Sequence, residues 1–70
     1  MQAMGLNQND RKYVAMLVDQ HRSSEFVRDA VTHRVRGSNW DRDQNLKFLC
    51  WLRDKGYDRT AERLAEYLDA

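Results

Sequence analysis

Apolar residues in this chain recur three or four positions apart in four separate stretches, the spacing of an amphipathic helix. Tyr13, Val14, Leu17, Val18 and His21 form the first set, and Asn7, with Asp10 three residues later, is suited to cap it. Helix one is expected over residues 8–21. Ser23 or Ser24 opens the second set, Glu25 suits a first turn, and Val27, Ala30, Val31 and Val35 follow before Gly37, which gives helix two over 24–36. Ser38-Asn39-Trp40-Asp41 has the form of a capping box with Asp in place of Glu. The run that follows, Leu46, Phe48, Leu49, Cys50, Trp51 and Leu52, covers nearly every face of a helix over 39–55. Helix three is therefore expected to be the buried central element. Gly56 ends it, Asp58 is placed to cap the next, and Ala61, Leu64, Ala65 and Leu68 stand at i, i+3, i+4 and i+7 of helix four, over 59–69.

Strands find no support. The β-branched cluster from Val27 to Val35 is interrupted by charges at helical spacing, and no Asn-Gly or Asp-Gly hairpin pair occurs. The three glycines punctuate the helical stretches and there is no proline. The pattern predicts one all-α domain of four helices over residues 7–70, with 1–6 as a flexible N-terminus. At 70 residues such a chain buries only about 60% of its unfolded surface, so its core must be small.

Composition narrows the function classes. Hydrophobic residues are 41% and charged residues 33% of the chain, too apolar for disorder and too charged for a membrane protein. Met1 to Asn9 has neither the basic region nor the apolar stretch of a targeting signal. A single cysteine, Cys50, excludes an internal disulfide and a CxxC motif, which fits a cytoplasmic or nuclear setting. Chemistry has few candidates. His21 and His33 are the only imidazoles, and neither shares a helical face with Cys50 or a serine in a triad-like pattern. Cys50 reads as a buried core thiol. The pairs Asp41/Asp43 and Glu62/Glu66 read as solvated surface acids, and the histidines lack HxxxH or HExxH spacing for a metal. No catalytic residue, metal site, cofactor or small-molecule substrate is expected.

Charge is more informative locally than globally. The net charge is +1, yet between His21 and Arg36 the arginines Arg22, Arg28, Arg34 and Arg36 are set against only Glu25 and Asp29, while helix four is acidic. These arginines suit carboxylates or phosphates, and Trp40, an aromatic at a helix corner beside them, has the composition of an interface anchor. Arg22, Arg28, Arg34, Arg36 and Trp40 are the candidate partner-binding residues. The expected function is a non-enzymatic protein-interaction module that self-associates or docks on a larger cytosolic partner. The alternatives are a small nucleic-acid-binding regulator acting through the helix two arginines, and an inhibitor of a larger enzyme.

Residues 46–64 carry the pattern apolar helix, Gly56-Tyr57, two residues, Thr60-Ala61, two residues, Leu64, with Trp51 and Leu52 ahead of the glycine. This resembles the lissencephaly-homology (LisH) helical hairpin. Lys47 departs from it at a position that family keeps apolar, and Tyr67 stands where an acid is common. The resemblance implies homodimerisation through the hairpin, with Trp51, Leu52, Tyr57 and Leu64 at the dimer contact.

Overall fold

Side-chain caps set where the helices begin. In a computed structural model of the chain, which describes residues 4–36 and 41–68, the helices are α1 (Gln8–Asp19), α2 (Ser24–Arg34), α3 (Arg42–Asp54) and α4 (Asp58–Leu68). Asn7 Oδ1 accepts the Asp10 N–H at 2.8 Å, Ser23 Oγ accepts that of Phe26 at 3.2 Å, and Asp41 Oδ1 accepts that of Gln44 at 3.0 Å. Each oxygen satisfies a donor that the first turn leaves without a helical partner. The first cap is the expected one, and Ser23 rather than Ser24 caps α2. The third corrects the sequence reading: Asp41, in extended conformation at φ −104° and ψ 110°, is the cap, so α3 starts at Arg42 and not at 39. Ser38, the expected cap, lies outside the described residues. Asp58, also expected as a cap, is instead the first residue of α4, where its charge favours the helix dipole.

Two corners stop α1 and α3 by the same device. At the first, His21 N–H donates to Val18 O at 3.0 Å and Arg22 N–H to Leu17 O at 3.1 Å, with His21 at φ 57°. At the second, Gly56 N–H donates to Arg53 O at 3.0 Å and Tyr57 N–H to Leu52 O at 2.9 Å, with Gly56 at φ 90°. Both are Schellman caps with a left-handed residue just past the helix. His21 is therefore a corner residue and not part of the apolar face of helix one, which ends at Asp19. The Tyr57 hydroxyl donates to Arg22 O at 2.7 Å and ties the corners together.

Residues 4–6 are built into the fold, where a flexible N-terminus over 1–6 was expected. Gly5 and Arg36 exchange backbone hydrogen bonds of 3.0 and 2.9 Å, Met4 N–H donates to Tyr67 O at 3.2 Å, and Leu6 is fully buried. The same pairing ends α2 at Arg34 rather than 36, because Arg36 bonds to Gly5 and Val35 is already extended. Among the described residues this bridge is the only strand-like pairing.

The core joins Leu6, Val14, Leu17 and Val18 to Val27 and Val31 of α2, Leu49 and Leu52 of α3, and Ala61, Leu64 and Leu68 of α4. α1 packs on α2, α2 on α4, and α4 on α3. The inner positions thus belong to α2 and α4 and not to helix three. Thr60 and Ala61 are small and fully buried, and let neighbouring helices approach closely on either side of Leu64. On α3, by contrast, Leu46 is 43% exposed, Cys50 is exposed and not a core thiol, and Phe48 and Trp51 are half-buried. None of the helices is long and apolar enough to cross a membrane, among the described residues.

Candidate functional site

The helix two arginines do not form one surface. Arg34 Nη1 lies 3.1 Å from Asp10 Oδ1 and Arg36 Nε makes a longer contact, 3.5 Å, to Asp10 Oδ2. The Asp10 side chain is only 4% exposed, so these cations neutralise a carboxylate that would otherwise be buried alone, a costly arrangement. The Arg34 guanidinium also stands 3.8 Å from the centre of the Tyr13 ring, in cation–π geometry. Arg22 sits at the opposite end of the helix, bonded to Gln20 Oε1 at 3.3 Å and 5.3 Å from the Phe26 ring centre. Arg28 faces α4, in a depression shared with Arg59, Glu62, Arg63 and Glu66. Of the five expected partner-binding residues, then, Arg34 and Arg36 meet on Asp10, Arg22 and Arg28 stand apart, and Trp40 lies outside the described residues.

The hairpin residues divide between core and surface. Leu52 and Leu64 are fully buried within the chain's own core, and Tyr57 is half-buried with its hydroxyl engaged at the corner. Trp51 reaches the surface. It stacks on Phe48, with ring centroids 5.5 Å apart and planes 18° from parallel, and Lys55 Nζ stands 5.9 Å from its ring centre.

That aromatic pair forms one wall of a groove of about 670 Å³ between α1 and α3. α1 contributes Gln8, Arg11, Lys12 and Ala15, and α3 contributes Gln44, Lys47, Phe48 and Trp51, each set spaced i, i+3, i+4 and i+7 along its helix. Asp41, the α3 cap, closes one end. At its base Arg11 Nη1 donates to Leu6 O at 2.9 Å and to Asn45 Oδ1 at 3.3 Å. Asn45 is fully buried, and its Nδ2 has no hydrogen-bond partner among the described residues. Among the described residues the close helix pairs are α1 on α2, α2 on α4 and α4 on α3. The side between α1 and α3 carries this groove.

The sequence reading missed the groove because its α1 wall is polar. Gln8, Arg11 and Lys12 read as solvated positions, and no periodicity argument relates them to Lys47, Phe48 and Trp51 some 35 residues on. The signal was present only as an aromatic pair beside lysines. As chemistry, the groove offers cations, amides and an apolar wall suited to binding. Among the described residues no three His, Cys, Asp or Glu side chains gather as metal ligands. Comparison with protein-family models, with curated proteins and with solved structures gives no match.

Proposed function

We propose that this domain is a non-enzymatic protein-interaction module of the cytoplasm that docks on a larger partner, with the groove between α1 and α3 as its docking site. One observation carries the reading: among the described residues, Phe48 and Trp51 stack at the surface beside the groove, where α1 and α3 pack less closely than the other neighbouring helices do. Aromatic side chains that stay partly wet in the free molecule gain most from being covered, and anchors of this type dominate binding energy at protein interfaces. Inhibition of an enzyme would be one form of such docking. The nucleic-acid reading draws less support, since Arg34 and Arg36 are held on Asp10 and Arg28 shares its depression with Glu62 and Glu66 as well as with Arg59 and Arg63.

Site-specific photo-crosslinking in cells tests the proposal. A photoreactive residue at Gln44 or Lys47 should trap a discrete protein adduct, and the same residue at Asp29 or Glu62, on other faces, should not. Equal labelling from all four positions, or none from the groove, overturns it.

A further inference from the structure

Resting on that docking reading, we infer that the groove takes an acidic peptide segment carrying a bulky apolar side chain. Three cations line it, Arg11, Lys12 and Lys47, against the single carboxylate of Asp41. None of the three forms an ion pair among the described residues, whose salt bridges involve only Asp10 with Arg34 and Arg36, and Arg63 with Glu66. Asp41 is occupied at the α3 N-terminus, where it accepts the Gln44 N–H and lies against the positive end of the helix dipole. The imbalance is local. The chain as a whole is only +1, and the depression between α2 and α4 sets Glu62 and Glu66 among its arginines. A partner complementary to the groove is therefore negative where it meets α1 and Lys47, and apolar where it meets Phe48 and Trp51.

Dimensions limit the segment. Gln8 to Ala15 and Gln44 to Trp51 are each seven helical steps apart, about 11 Å of helix, so the groove accommodates about two helical turns with carboxylates flanking one apolar anchor. Arg11 is fixed by its bonds to Leu6 O and Asn45 Oδ1 and meets a carboxylate without much further ordering, which favours affinity. A single nucleic-acid strand would also find cations and aromatics here. Its bases, however, need open ring faces, whereas Phe48 and Trp51 cover one face of each other and Lys55 stands over the Trp51 ring. An apolar side chain packs on the remaining edges without such a requirement.

The test uses the full ¹⁵N-labelled chain and short peptides sharing one phenylalanine anchor, flanked by glutamates, by glutamines or by lysines, with oligothymidylate as a fourth ligand. The glutamate peptide should shift the Trp51 indole N–H and the amides of residues 11–15 and 44–51, bind about tenfold or more tightly than the glutamine peptide, and weaken with salt. Lys12→Glu with Lys47→Glu should abolish that preference and transfer it to the lysine peptide, a reversal that simple unfolding would not produce. Equal binding of the glutamate and glutamine peptides, or tighter binding of oligothymidylate at the same resonances, overturns the inference. If groove positions crosslink a partner in cells while the acidic peptide shows no preference, docking stands and the acidic class falls; if both fail, both fall.

Discussion

The two corner residues share a backbone conformation and differ in chemistry. A non-glycine residue at positive φ brings its Cβ against the following carbonyl oxygen, at roughly 1–2 kcal/mol. His21, at φ 57°, carries that strain, while Gly56, at φ 90°, does not. His21→Gly should therefore raise stability by about 1 kcal/mol, read as a higher midpoint in urea with unchanged slope. Gly56→Val should lower it by about 1 kcal/mol or more. A Cβ at Gly56 meets nothing within 4 Å, so the loss would reflect backbone conformation and not a clash. Gly56 was legible in the sequence because glycine after an apolar helix signals this cap. His21 was not, since a left-handed histidine leaves no mark in composition and its position continues the apolar spacing of Val14, Leu17 and Val18. The arginines pose a similar problem: nothing in their spacing shows that Arg34 answers a buried acid 24 residues earlier. Arg34→Gln should cost about 1–3 kcal/mol, since it removes a partner from the buried Asp10 carboxylate, whereas Arg28→Gln should change thermal stability by less than about 0.5 kcal/mol.

At the scale of elements, four helices and their order followed from periodicity, and errors gathered at ends and in the choice of centre. Ends were displaced where a tertiary contact decided them. Arg36 pairs with Gly5 instead of extending α2, and a segment of three residues is too short for any periodicity to reveal it. The centre was misjudged because α3 has more apolar residues than α4. What places a helix between two others is a narrow stripe of small and branched residues, Thr60, Ala61, Leu64 and Leu68. Substitutions along α3 separate the two views. Leu52→Ala should lose about 2–5 kcal/mol as a buried large-to-small change, and Leu46→Ala, at a 43% exposed position, should stay within about 0.5 kcal/mol in the same denaturation assay. Comparable losses at both positions would restore α3 as an element buried on every side.

At the scale of the whole molecule, close packing among the described residues runs in the series α1, α2, α4, α3, and the first and last members face each other across the groove, joined at its base by the bond from Arg11 to Asn45. None of this is visible in a single stretch of sequence, because it depends on which helices pack closely on which and not on what any helix contains. The arrangement also bears on self-association, which the hairpin resemblance implies. Two of the residues implied at a dimer contact, Leu52 and Leu64, are fully buried in the chain's own core, so of the four only Trp51 and Tyr57 reach the surface, and Trp51 lies in the groove. A two-fold contact there would set Arg11, Lys12 and Lys47 of one copy against the same cations of the other, since an isologous interface meets itself. Like charges brought together across an interface cost several kcal/mol unless salt screens them. Light scattering across a concentration series at low ionic strength should therefore give the monomer mass throughout, with any tendency to pair emerging only as salt is raised. A dimer that is tight at low salt and loosens as salt increases would show attraction between unlike charges, and would place the contact on another face, such as the one bearing Leu46 and Cys50.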